Sequence, residues 1–93
     1  MTTLEKPDLY VVARILNTLY SSEAPMKRTN IQLKLGLNYT RFVEYLEWMK
    51  EKGLVTDVGE ESEVLLALTP KGLDSYHRLV GWIRDTMRDL DVV

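Results

Sequence analysis

One segment, bounded by its own start and stop signals, constrains this chain more than any other. Within residues 28–53, Ile31, Leu33 and Leu35 are followed at once by Gly36-Leu37, and then by Phe42, Tyr45, Leu46 and Met49 at three- and four-residue spacing. That period places the last four side chains on one face of a helix and leaves Thr40, Arg41, Glu44, Glu47, Trp48 and Glu51 on the opposite face. Asn38 is a strong N-cap, because its side-chain oxygen can accept from one of the first free backbone N–H groups. Gly53 can take the left-handed conformation that ends a helix. The second helix is thus fixed at both ends. A first helix, opened by Thr29 or a neighbour after an extended approach from Met26, supplies Ile31, Leu33 and Leu35 as contacts and closes at Gly36. Two helices joined so tightly form a helix-turn-helix.

The flanks complete the pattern. Pro7 suits the first turn of a helix, with Asp8 near the positive end of its dipole. Leu9, Val12, Ile15, Leu16 and Leu19 then recur at helical spacing to about Tyr20, which makes them core and leaves Arg14 and Asn17 on the solvent side. Ser21-Ser22-Glu23-Ala24-Pro25 breaks that helix. Beyond Gly53, the runs Leu54-Val55-Thr56-Asp57-Val58 and Val64-Leu65-Leu66-Ala67-Leu68 predict two strands. Gly59-Glu60-Glu61-Ser62-Glu63 between them predicts a hairpin loop of moderate length.

Thr69-Pro70 is a cap followed by proline at the first helical position, so a last helix starts there. Leu73, Tyr76, Val80, Ile83, Met87 and Leu90 continue it as a heptad seam flanked by Leu79 and Trp82. That is more apolar surface than one small core needs, so the distal half is expected to pair with something. Gly72 lowers helix stability in the first turn, so it either permits a close approach of this helix to the hairpin or the first helix or is a tolerated weak spot.

A chain of 93 residues, 45% of them hydrophobic, supports one modest core. It has no cysteine and a single histidine, His77, so neither disulfides nor thiolate metal sites are available. No secretory leader and no membrane-length apolar run is present, which predicts a cytoplasmic protein, and without a phosphate-binding loop or metal cluster no cofactor is expected. Asp74, Ser75 and His77 do not form a triad, because Ser75 and His77 lie roughly 200° apart on one helix. Asp74 and His77 fit a surface hydrogen bond or the flank of a coiled coil better than a metal site. With no phosphate-binding glycine loop either, an enzyme is not expected.

The net charge of −2 argues against indiscriminate coating of nucleic acid. Its distribution says more. Residues 24–43 contain no acid, while Lys27, Arg28, Lys34 and Arg41 all fall there, and acids concentrate between Glu44 and Glu63. The chain is acidic overall with a basic island on its helix-turn-helix.

The order helix, helix, helix, strand, strand, helix resembles the winged-helix family. It is most similar to the small archaeal winged-helix regulators and chromatin-associated proteins that dimerise through a C-terminal coiled-coil helix. The resemblance is carried by Leu37-Asn38-Tyr39, by Phe42 and Tyr45-Leu46, by Lys52-Gly53-Leu54-Val55, and by Leu68-Thr69-Pro70-Lys71-Gly72-Leu73. It covers most of the chain from about Lys27. The implied fold is mainly α with a small β-hairpin (α+β), a single winged-helix domain over residues 1–93. Its helix-turn-helix would occupy about 28–53, its wing about 54–68 and its dimerisation helix about 70–90.

The resemblance also implies a partner, double-stranded DNA, with the third helix in the major groove. By position the contact set is Lys27, Arg28, Thr29, Lys34, Asn38, Tyr39, Thr40, Arg41 and Glu44, with Arg28 on phosphate and Arg41 the best candidate for a base or phosphate. The homodimer interface would take Leu79, Val80, Ile83, Met87 and Leu90. The wing departs from the family, because Asp57, Glu60, Glu61 and Glu63 stand where lysine or arginine is common. Two readings follow: a homodimeric transcription regulator associated with the nucleoid, or a protein-interaction module that uses the acidic wing and Trp48 without touching DNA. Trp48 either packs at an interface or folds back against the wing.

Overall fold

The computed structural model describes the backbone of residues 6–91 and the side chains of residues 6–87, so the side chain of Leu90 lies outside the described part. Helices α1 (Leu9–Ser22), α2 (Arg28–Leu35) and α3 (Tyr39–Glu51) precede a hairpin of β1 (Val55–Glu60) and β2 (Glu63–Leu68), and the long helix α4 (Pro70–Asp91) follows. The element order is the expected one: four helices and a two-stranded antiparallel hairpin.

Asp8, and not Pro7, starts α1: its carboxylate accepts from the Tyr10 N–H at 2.9 Å, which leaves the proline just outside the helix. Val12, Ile15, Leu16 and Leu19 are buried as their spacing predicts. Leu9 was expected among them but is exposed, because it lies at the first helical residue, beyond the end of the buried stripe. The helix runs through Ser22, past the expected end at Tyr20. The Ser22 hydroxyl donates to the Leu19 carbonyl at 2.8 Å, and Glu23 turns left-handed at φ 58° to return its N–H to Tyr20.

In α2, Ile31 and Leu35 are buried one turn apart, but Leu33, expected beside them, is 76% exposed. Two residues along a helix is roughly a 200° rotation, so Leu33 cannot share that face. Met26 and Lys27 are extended before α2, and Lys27, not Thr29, takes the cap position without a side-chain hydrogen bond; Met26 exchanges N–H and C=O bonds with Leu66 at 3.0 and 2.8 Å, adding one rung to the hairpin. Its partner Leu66 is fully buried, so this rung ties α2 to the core.

The hairpin closes more tightly than the glycine and glutamates of its loop suggested. Glu60 pairs with Glu63, leaving only Glu61 and Ser62 as the connection, and Gly59 lies inside β1 opposite Val64. Gly59 has φ +94°, and a Cβ there would fall 2.5 Å from the Glu63 carbonyl oxygen. A side chain would therefore force the strands apart, and glycine is what lets pairing continue to the tip.

Thr69 caps α4 as its position before Pro70 predicts: its hydroxyl accepts from the Gly72 N–H at 2.9 Å and donates to the Gly53 carbonyl. One side chain thus satisfies the start of α4 and the end of the α3 turn. Gly72 permits close approach to Leu54, at the entrance to the wing, and not to α1. Contact with α1 comes from Tyr76, stacked on Tyr20 with ring centroids 4.5 Å apart and donating its hydroxyl to Asn17 at 2.7 Å. His77 meets the Tyr20 ring edge-on, and Asp74 pairs with Arg78 at 3.0 Å in place of the expected His77. Past this contact the seam leaves the core: Leu79 and Val80 are half-buried, while Ile83 and Met87 are exposed.

Candidate nucleic-acid interface

The helix-turn-helix is held by side chains from three elements. Gly36 takes φ +67° and donates its N–H to Gln32, ending α2, while the Gln32 amide donates to the Leu37 carbonyl at 3.1 Å. Arg14 of α1, expected on the solvent side, reaches across and donates to the Leu35 carbonyl at 2.9 Å. Cationic donors suit the carbonyl end of a helix dipole, so this contact fixes where α2 stops. Asn38 then accepts from the Arg41 N–H at 3.2 Å, as its cap position predicts, and starts α3. Its side-chain oxygen is committed to that cap.

Phe42, Tyr45, Leu46 and Met49 are completely buried, and the Tyr45 hydroxyl accepts from the Asp8 N–H at 2.9 Å. Rotation of α3 about its axis would unmake all of these contacts, so the outward face is set by packing. The first turn of α3 presents Tyr39, Thr40 and Arg41, all exposed, with Glu44 half-buried one turn on. The Arg41 guanidinium lies 5.4 Å from the centre of the Tyr45 ring, a cation–π contact that keeps it along α3. Trp48 is half-buried and packs against the core, with the Lys52 ammonium 5.8 Å from its ring, so it is no free outward platform.

The basic island is divided. Lys34 and Arg41 are exposed and enter no ion pair among the described residues. Arg28 instead lies 3.5 Å from Asp57, and Lys27 lies 3.7 Å from Glu63. Asp57 also receives Lys50 at 2.7 Å, so one wing carboxylate joins α2 to α3. The Lys50 hydrogen bond is the main reason that this carboxyl titrates below its ordinary value; the charges of Lys50 and Arg28 add to it, and partial burial opposes. A recess of about 510 Å³ lies between the start of α2 and the wing, bordered by Lys27, Arg28, Thr29, Asp57 and Glu63. Thr29 is exposed at its rim.

These pairings are absent from the sequence reading, which separates the acids of residues 44–63 from the basic island only along the chain. The charges at 27, 28, 57 and 63 are complementary, but only the Met26 to Leu66 rung and the hairpin register bring them together. The Glu60 and Glu61 side chains remain exposed at the tip.

No cluster of three or more histidine, aspartate or glutamate side chains is placed to hold a metal ion among the described residues. Among those residues no helix is long and apolar enough to cross a membrane. What the surface offers is hydrogen-bond donors and cations on an exposed helix, with a β-hairpin beside it.

Residues 8–86 match the winged helix-turn-helix family, to which this chain belongs. A comparison with curated proteins gives no match. Among solved structures it is similar to a MarR family transcriptional regulator from Silicibacter pomeroyi, with 26% identity and a TM-score of 0.68, over 84% of this chain and 56% of that one. The PcaV transcriptional regulator from Streptomyces coelicolor, solved with its natural ligand, is 24% identical with a TM-score of 0.71, over all of this chain and 67% of that one. RosR of H. salinarum is 23% identical with a TM-score of 0.69, over 80% of this chain and 72% of that one. The last two likenesses concern the fold alone. This chain spans little more than half the length of the first two solved relatives, 56% and 58%.

Proposed function

We propose that this protein is a homodimeric transcription regulator that reads duplex DNA with α3 in the major groove. The observation that carries the reading is the first turn of α3: Tyr39, Thr40 and Arg41 stand exposed there on a helix held by the completely buried Phe42, Tyr45, Leu46 and Met49. N-terminal residues of a recognition helix are those that reach base edges. Lys34 lies on the same motif, and Lys27, Arg28 and Thr29 open α2 where phosphate contacts would fall, so contacts that position and contacts that specify are both supplied. Glu44 would accept from a cytosine amino group. The S. pomeroyi relative, described as a transcriptional regulator, supports the same class. α4 would pair with its copy through Leu79, Val80, Ile83, Met87 and Leu90 and set the distance between half-sites. A cytoplasmic, nucleoid-associated location follows from the reading.

The test is binding to mixed-sequence duplex DNA over a range of salt. Binding at low salt that weakens steeply between about 50 and 200 mM is the expected result, because neutralised phosphates release counterions. The absence of binding at low salt would reject the reading. The rival use of the acidic wing and Trp48 as a protein-binding surface loses support from two placements: Asp57 and Glu63 turn onto this chain's own cations, and Trp48 packs against the core.

A further inference from the structure

We infer that Asp57 and Glu63 of the wing form an intramolecular latch over Arg28 and Lys27, occupying with carboxylates the cations that DNA phosphate would take. The inference rests on the DNA-binding reading and concerns how that same surface is regulated. Both pairs join the wing to the start of α2, at the two sides of one recess. Carboxylate and phosphate oxygens compete for the same donors on lysine and arginine. The two pairs are long, at 3.5 and 3.7 Å, and their side chains range from 31% to 59% exposed. Exposed pairs of this kind are weak and sensitive to salt, so phosphate can displace them.

Asp57 differs from Glu63 in one respect. Its second oxygen takes Lys50 at 2.7 Å, so the carboxylate stays fixed to α3 when Arg28 leaves. The wing therefore keeps its place while Arg28 turns outward, and the latch opens at side chains without unfolding the hairpin. An acidic wing, unhelpful to DNA binding when taken as a list of charges, becomes a device that lowers affinity for any duplex. Its effect falls on Lys27 and Arg28 and spares Lys34 and Arg41, which enter no ion pair among the described residues. Sequence preference, carried by Arg41, would be left intact.

Duplex affinity should be measured at low salt for wild type, Asp57→Asn, Glu63→Gln and the double variant, each also in a Lys27→Ala/Arg28→Ala background. The double variant is expected to bind roughly two- to thirtyfold more tightly per subunit, the span of two exposed pairs. That gain is expected to vanish in the alanine background. Wild-type binding with no gain in the variants overturns the latch and leaves the DNA reading standing. A gain that persists in the alanine background also overturns it, since removal of repulsion at a distance would then account for the effect. Binding by neither wild type nor variants rejects the DNA reading and the latch together. Glu63→Gln breaks only the longer pair, so it decides the matter if Asp57→Asn fails to fold.

Discussion

Gly72 of α4 faces the Leu54 carbonyl so closely that a Cβ built on it would lie 2.0 Å from the oxygen. Nothing soft can give way, because the obstacle is backbone and the Leu54 carbonyl also accepts from the Thr69 N–H at 3.1 Å. Gly72→Ala should therefore destabilise the fold by about 1 to 3 kcal/mol, the usual cost of overpacking, despite alanine's better helix propensity. Gly81, in the same helix, has nothing within 4 Å of its would-be Cβ. Gly81→Ala should stabilise by roughly 0.5 to 1 kcal/mol. Urea midpoints of the two variants check the contrast, and a neutral Gly72→Ala would mean that α4 does not sit on Leu54.

The Asp57 carboxyl titrates below its ordinary value near 3.8, chiefly because Lys50 donates to it. A group depressed in the folded state contributes stability above its unfolded value and loses it as pH falls through the folded value. Asp57→Asn should thus lower Tm near neutral pH, and the difference should fade as acid drops below the ordinary carboxylate range. Thermal melts by circular dichroism across that range test it. A difference that persists unchanged in acid would show that asparagine disturbs packing and that the ion pairs are not the cause.

How much of this was legible in the sequence depends on whether a local signal carried the feature. The bounds and buried stripe of α3 are readable, since Asn38, Gly53 and the run of Phe42, Tyr45, Leu46 and Met49 agree with one another, whereas Trp48, on the outward face by spacing, packs against the core. Thr69-Pro70 was readable for the same reason. Leu33 was misread because hydrophobicity was taken without its angular position. Gly59 falls in the loop by composition, although a glycine inside a strand can instead relieve a close backbone approach, as it does opposite Val64. The contacts of Arg14 with Leu35 and of Arg28 with Asp57 span 21 and 29 residues, the second from 57 − 28, and no local pattern encodes them. The site's electrostatics was the part that needed the tertiary structure.

The exposed end of α4 bears on assembly. Ile83 and Met87 are 42% and 52% exposed on the heptad seam, and Trp82 beside them is 65% exposed. A coiled coil with a second copy would cover that face. Wild type should sediment as a dimer, and Ile83→Asp should yield a monomer with unchanged helical content. A wild type that already sediments as a monomer at micromolar concentration ends the proposal.

Arg28 and Arg41 should differ in kind. Arg28→Ala is expected to weaken binding to every duplex alike, because phosphate contacts carry no sequence information. Arg41→Ala is expected to cost roughly 1 to 3 kcal/mol and to change sequence preference, as loss of a groove contact does. Selection of bound sequences from random duplexes with each variant separates the two. The same preference for wild type and Arg41→Ala would move base reading elsewhere on α3.

The tip of the wing carries the remaining test. Glu60 and Glu61 are exposed, and Glu60 pairs across the hairpin with Glu63, so like charges crowd the turn. If α3 enters the major groove, the tip comes near phosphates, within the Debye length of about 8 to 10 Å over which charges act at ordinary salt. Those two glutamates then repel the backbone. Changing both to lysine should raise affinity for any duplex with little change in preference. It should also steepen the fall of affinity with salt, by about 0.9 in log–log slope for each new phosphate contact. Neither residue belongs to the ion pairs over Arg28 and Lys27, but a lysine at 60 would stand opposite Glu63, so this gain should couple to that of releasing Lys27 and the two should not simply add. Equal affinities and equal salt slopes for wild type and the double lysine variant would show that the tip is turned away from the DNA. The wing would then act only through Asp57 and Glu63, at the start of α2.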